Sequence, residues 1–306
     1  MIFYPSKNNN RLNGRPFDPD VATGRAMVNP HYPVKVAPGT DYLIDSGAFQ
    51  ERDMLHRLTP DKALARQMRT AWAIREAGGP HNPEAVVTYD MVLGVDEGFR
   101  DSRTSTITLA PTEEQRPHCV RVKTRGSEAS AELAVRETVA AAHAYADALA
   151  EAPFAVAFAA QGATPGQYLE CVKQILVRAR KNDWLALGGF CIIGRVPSLK
   201  PTFEATLAVV LPYAASLGVR RIHLLGVTVS DSIQAFAKAC RDNGLSGSTD
   251  SSGPEQNAAV FGKRFETNGR PRWVPHFAKQ DKNVTYFPAD WAIEQIKAYS
   301  SWAKPL

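Results

Sequence analysis

Three short strand-like stretches of this sequence end on a carboxylate. Tyr42-Leu43-Ile44 leads into Asp45, Val86-Val87-Thr88-Tyr89 into Asp90, and Ser246-Gly247-Ser248-Thr249 into Asp250. The first run is too short for a helix and right for a buried strand. A carboxylate at the end of a buried strand is costly unless it is hydrogen-bonded or used. After Asp45, Ser46 brings a hydroxyl, and Gly47 allows a tight turn or close backbone approach. Phe49 offers a flat apolar face, and Gln50 an amide that both donates and accepts. This is the make-up of a pocket rim. The alternative reading is a strand followed by an Asx-type turn.

If the three acids meet, they push each other's proton affinities apart, so that one stays an anion while another holds a proton. That division of labour suits displacement at an anomeric carbon. One carboxylate attacks the sugar carbon, and another carries a proton to the leaving group and back. Magnesium held by one or two of the acids and waters is a rival use. Gln161-Gly162 and Leu187-Gly188-Gly189 end two further apolar runs. Glycines there let a planar ligand lie against bare backbone, beside an amide able to read its edge. Paired glycines also serve as plain turns.

The elements that must position these residues alternate between strand and helix. Ile2–Tyr4 reads as a first strand stopped by Pro5, and residues 6–40 as a long irregular segment or cover. Strands are expected at 42–45, 86–90, 154–160, 184–190, 221–226, 246–250 and 284–287. Thr59-Pro60-Asp61 starts a helix, with Leu64, Met68, Trp72 and Ile74 on its apolar side. An alanine-rich helix is expected over 129–151, and a capping box at Thr164-Pro165-Gly166-Gln167 starts another. Leu169, Val172, Ile175 and Leu176 share a face of that helix. Further helices are expected over 202–217, after a Ser230 cap, and over 289–302. Residues 91–127 form a long charged insertion, the usual make-up of a lid or binding loop. The alternation argues for a parallel sheet with crossover helices. With near eight strands, the expectation is a (β/α)8 TIM-type barrel of α/β class, whose strand C-termini form one rim carrying the site. A doubly wound sheet is the alternative, but neither a GxGxxG loop nor a phosphate loop is present.

The chain has 306 residues, 44% of them hydrophobic, enough for a barrel-sized core. Lys and Arg number 36 against 31 acids, a mild basic bias compatible with a polyanionic partner. Cys119, Cys171, Cys191 and Cys240 lie far apart with no CxxC pair, so no zinc site is signalled and reduced thiols are expected. No signal peptide or membrane-length apolar run is visible, and a cytoplasmic protein is expected. His223, inside an apolar strand, reads as a satisfied core histidine or a polar rim group.

Taken together, these motifs resemble tRNA-guanine transglycosylases and their DNA-directed paralogues, which exchange guanine for a 7-deazaguanine. The family's Asp-Ser-Gly-Gly-Phe-Gln motif resembles Asp45-Ser46-Gly47-Ala48-Phe49-Gln50, with alanine at the second glycine. Its Phe-Asp motif resembles Tyr89-Asp90, and its Gln-Gly-Gly motif resembles Gln161-Gly162-Ala163. Its Gly-Gly-Leu-Ala-Val-Gly motif resembles Gly188 to Gly194 with one extra residue, and its Tyr-Leu-Met-Gly-Val-Gly strand resembles Ile222 to Val227. The nucleophilic aspartate of the family falls on Asp250. Six motifs in one order span residues 45 to 253.

The resemblance implies a (β/α)8 barrel and a set of roles. Asp250 attacks C1′ and forms a covalent intermediate, and Asp45 is the general acid/base. Asp90, Gln161, Gly162, Gly188 and Gly189 read the base edge with help from Ser46, while Phe49 or Tyr89 stacks on the ring. No cofactor is implied. The family's tRNA enzymes carry a zinc-binding CxCxxC cluster and a histidine near the C-terminus, and this chain has no such cluster. That departure, with the short chain, favours the DNA-directed enzymes, and so DNA and a 7-deazaguanine base (preQ0 or a derivative) as partners. A guanine must leave the stack to reach a barrel rim, and its flanking phosphates need cations. Two stretches could supply them. One holds Arg116, Arg121, Lys123 and Arg125 in the insertion. The other, a basic loop over 254–282, holds Lys263, Arg264, Arg270, Arg272, Lys279 and Lys282 with Phe265, Trp273 and Phe277 between them.

Overall fold

Eight parallel strands close into a barrel in the computed structural model of the chain. The residues described are 1–7, 11–12, 15–16, 23–32, 34–51, 58–91, 95–104, 107–108, 112–125, 128–194, 196–227, 229–251, 263–266, 272–275 and 297. The barrel strands are β1 (Ile2–Lys7), β2 (Arg25–Val28), β3 (Asp41–Ile44), β4 (Ala85–Val87), β5 (Ala155–Ala160), β6 (Trp184–Leu187), β7 (Arg221–Leu224) and β8 (Ser246–Ser251). Each pairs with the next in sequence, and β8 closes on β1 with Tyr4 opposite Asp250. Helices α1 (Pro60–Glu76), α2 (Glu128–Ala148), α3 (Pro165–Leu176), α4 (Lys200–Ser216) and α5 (Ser230–Asp242) follow β3 to β7 in turn. This is the TIM-type (β/α)8 barrel.

The pleat divides each strand between two cores. Outward-facing Phe3, Val28, Tyr42, Ile44, Val86, Phe158, Leu185 and Leu224 join the core shared with the helices. Inward-facing Tyr4, Met27, Leu43, Val87, Ala157, Trp184 and Ala186 fill the barrel itself. The alanines of β5 leave room for Tyr4 and Trp184, so large and small side chains interdigitate. The floor is closed by a polar set. The Tyr4 hydroxyl donates to Glu84 Oε2 at 2.5 Å, Arg221 pairs with Glu84, and the guanidinium lies 4.9 Å from the Trp184 ring centre.

Several expected elements are corrected. β1 runs through Pro5, which sits opposite Ser251 instead of stopping the strand. The stretch taken as irregular, 6–40, contains barrel strand β2; its apolar core is only Ala26-Met27-Val28, too short to announce itself. The expected strand 284–287, and the expected helix 289–302 apart from residue 297, lie outside the described residues, so the expected eight and the observed eight differ by one strand. On α1 the buried residues are Ala63, Gln67 and Ile74, and Trp72 is exposed. On α3 Tyr168 and Cys171 are fully buried while Leu169 is only half-buried. Ser230 is the first residue of α5 and not its cap, a position held by Val229. The Thr164 cap is present, with its hydroxyl accepting from the Gln167 N–H.

The charged insertion after β4 contains a three-stranded antiparallel sheet, with Val95–Asp101 between Ile107–Thr108 and Cys119–Arg125. The basic loop over 254–282 is likewise corrected in part: Lys263–Glu266 and Arg272–Pro275 pair antiparallel, with Phe265 opposite Trp273. No helix among the described residues is long and apolar enough to cross a membrane.

Candidate active site at the barrel mouth

Asp45 leaves β3 at the mouth. Its N–H donates to Val28 O of β2 at 2.8 Å. Gln67 of α1, fully buried, donates through Nε2 to Asp45 O (2.9 Å) and Val87 O (2.8 Å) and accepts from the Tyr145 hydroxyl (2.6 Å). One amide therefore ties the ends of β3 and β4 together. Gly47 takes φ +72°, a left-handed conformation that favours glycine. Ala48 stands in the following helical turn, Ala48–Glu51, without positive φ, so an alanine there is free of strain. Beneath the turn, Glu51 accepts from Arg66 (2.6 Å) and from the Tyr89 hydroxyl (2.5 Å). Burial would raise the Glu51 carboxyl, but those two donors hold it below its ordinary value. His31 Nε2 lies 3.0 Å from Gly47 O and 3.3 Å from Glu51.

Asp90 lies three residues past β4 and is buried. Ser46 Oγ donates to Oδ1 at 3.0 Å and Gln161 Nε2 to Oδ2 at 2.5 Å. Gln161 is itself fully buried at the end of β5, and its Oε1 has no hydrogen-bond partner among the described residues. The Gln161 amide packs on Gly188 and Gly189. A Cβ at Gly188 would stand 2.2 Å from Gln161 Nε2, and one at Gly189 (φ +80°) 2.6 Å from the Tyr168 hydroxyl. Bare backbone is thus required where β6 ends.

Asp250 closes the set from β8. Its Oδ1 lies 3.1 Å from His223 Nε2 and accepts from Gly226 N at 2.8 Å, and Ser6 Oγ lies 3.4 Å from Oδ2. β8 is polar throughout, an unusual strand for a barrel interior, and yet Ser248 to Ser251 are buried.

Two of the acids act on the third. Burial pushes the Asp45 carboxyl up to about 7, and the negative charges of Asp250 and then Asp90 push the same way. The N–H groups of Ser46 and Gly47 oppose them without reversing the shift. Near neutral pH, Asp45 can therefore hold or release a proton beside Asp250, whose Oδ1 is held by an N–H. An acid/base next to a positioned anion is the apparatus of nucleophilic displacement with proton transfer to a leaving group.

Asp45, Asp90, Gln161 and Asp250, expected to share a rim, come together at one end of the barrel, with Ser46, Gly162, Gly188 and Gly189. Asp96, a further acid a few residues on, lies on the insertion opposite Thr124. Phe49 is 41% exposed, whereas Tyr89 is buried with its hydroxyl bound to Glu51, which leaves Phe49 as the open ring. Arg121, Lys123 and Arg125 occupy alternate positions of the insertion strand; Lys263, Arg264 and Arg272 lie on the antiparallel pair, and Arg270 lies outside the described residues. The sequence reading passed over Gln67, Glu51 and the pairing of His223 with Asp250. A fully polar strand beside a strand with one histidine was the available signal for the last. No three His, Cys, Asp or Glu among the described residues are arranged to hold a metal ion. No disulfide joins any of the four cysteines, and burial pushes the Cys171 and Cys240 thiols up to about 12.

The fold and mouth together define a parallel (β/α)8 barrel with an acid-lined rim. Compared with known proteins, the chain matches no family model and no curated protein. Among solved structures it is similar to an L-ribulose 3-epimerase, at 12% identity over 92% of this chain and 86% of that one, with a TM-score of 0.40. It is also similar to endo-glycoceramidase II from Rhodococcus sp., seen there as a lactosyl-enzyme intermediate, at 13% identity over 82% and 73%, with a TM-score of 0.32. At these values the likeness carries no argument about activity.

Proposed function

We propose that this chain is a base-exchange transglycosylase that replaces guanine in DNA with a 7-deazaguanine through a covalent aspartyl-glycosyl intermediate. The observation that carries the reading is the charge of Asp250 acting on Asp45 at the barrel mouth, with Asp45 poised near neutrality. Asp250 attacks C1′, and Asp45 gives its proton to the departing base and later takes one from the entering base. The Ser46–Asp90–Gln161 set beside Gly188 and Gly189 supplies donors, acceptors and an open backbone for a purine-like edge. The six-motif resemblance to the transglycosylases supplies the substrate class, and the missing cysteine cluster favours DNA over tRNA.

The test is exchange of labelled guanine. Asp250→Asn and Asp250→Ala should abolish incorporation while the folded protein still binds nucleic acid. Exchange retained in both variants removes Asp250 as nucleophile. Duplex DNA and tRNA assayed side by side separate the two substrates, and turnover only on tRNA overturns the DNA assignment.

A further inference from the structure

His223 is fully buried on β7, with its ring wedged between three partners. Nε2 faces Asp250 Oδ1 at 3.1 Å, Nδ1 faces Ser248 Oγ at 2.9 Å, and the Tyr4 ring meets the imidazole edge-on at 5.9 Å between centres. Two proton arrangements fit a neutral ring. In one, Nδ1–H donates to Ser248, leaving the Nε2 lone pair against a carboxylate oxygen. In the other, Ser248 donates to Nδ1, and Nε2–H donates to Asp250. The Ser248 hydroxyl has a second acceptor in Ile222 O, but at 3.4 Å against 2.9 Å to the ring. The second arrangement satisfies every atom and opposes no two lone pairs.

We propose that His223 is the positioning residue of Asp250: as the Nε2–H tautomer fixed by Ser248, it pins Oδ1 together with the Gly226 N–H and leaves Oδ2 as the attacking oxygen. The tautomer and the pinning stand on the geometry alone, while the attack rests on the proposed transglycosylase reading. Among the described residues, Oδ2 has only the longer contact, to Ser6 Oγ at 3.4 Å. A carboxylate free to rotate would present either oxygen, and fixing one removes that loss of alignment. In the step itself an Oδ2 lone pair forms the bond to C1′. The bond from C1′ to the base nitrogen breaks, its electron pair leaves with the base, and the base takes the proton carried by Asp45. Oδ1 becomes the ester carbonyl oxygen and keeps its two N–H donors.

Nitrogen-15 correlation spectra of the histidine-labelled full chain test the tautomer without any substrate, with His223→Gln identifying the His223 signals by their loss. The expected result is a protonated Nε2 and an acceptor Nδ1. A protonated Nδ1 with a bare Nε2 overturns the proposal. The attack is tested by the rate of covalent adduct formation on denaturing gels at saturating oligonucleotide. His223→Leu should slow that step by about 10–100-fold, the weight of one hydrogen bond to a charged group, with little change in half-saturating oligonucleotide. His223→Gln, whose amide N–H reaches a similar point, should recover most of the loss. A wild-type adduct rate in His223→Leu, or equal loss in both variants, overturns the positioning role. No adduct from the unaltered chain on DNA or RNA, alongside an Nε2–H signal, overturns the transglycosylase reading and leaves the Asp250–His223 arrangement standing.

Discussion

Carboxylates at the floor and at the mouth of this barrel are handled in opposite ways. At the floor, Glu84 shares its oxygens between Arg221 and the Tyr4 hydroxyl, and Trp184 lies under the guanidinium. Each group there meets its complement. At the mouth, Asp45 faces Asp250 and Asp90, and every one of those neighbours raises its hold on a proton. Gln161 Oε1 is left without a partner among the described residues. Like charges gathered at one end, with opposite charges paired at the other, are how perturbed proton affinity marks a working site. The barrel rule agrees, since the C-terminal ends of the strands carry chemistry and the N-terminal ends carry stability.

The contrast breaks most sharply at Asp45. Asp45→Asn should lower base exchange by about 10²–10⁴-fold, the usual weight of a general acid/base. In the unaltered protein, formation of the covalent intermediate needs the protonated acid. Its rate should fall about tenfold per pH unit above the Asp45 value of about 7. Stopped-time gels across pH check both, and a flat profile in the unaltered chain would remove Asp45 from the step.

A smaller effect is expected at the floor. Tyr4→Phe removes the donor to Glu84 and should cost about 1 kcal/mol, or a few degrees in melting temperature, with the exchange rate nearly unchanged. A variant that loses activity while keeping stability would erase the division between the two ends.

A further effect, on stability alone, has the opposite sign. An unfolded Asp45 releases its proton near about pH 4, whereas the folded one holds it to about 7. Between those values the unfolded chain binds fewer protons, so stability falls as pH rises through this window and stays reduced above it. Asp45→Asn removes that penalty. Its melting temperature should exceed that of the unaltered chain at pH 8, by a gain of up to about 4 kcal/mol, and match it at pH 4. Equal melting temperatures at both values would show that Asp45 is not held against its neighbours.

Much of this was legible residue by residue. Asp45 and Asp90 follow β3 and β4 as the apolar runs foretold, and the Thr59-Pro60 and Thr164-Pro165 starts fall at helix boundaries. β2 was not legible, because three apolar residues in a polar stretch give no period to read. Gln67 was hidden too: on α1 it looks like a surface amide, and its burial depends on the ends of β3 and β4 lying beneath it.

The order of types along the chain, with apolar runs closing on acids, amides and glycines and helices between them, was enough to fix a parallel barrel and the rim where chemistry would sit. Local periodicity and capping act within a few residues, so one sequence suffices to show them. Which oxygen of Asp250 is held, that His223 holds it, and that Asp45 is poised near neutrality were decided by the closed barrel alone. Hydrogen bonds and charge interactions depend on separations of a few ångströms between residues up to two hundred positions apart, and only tertiary packing sets those.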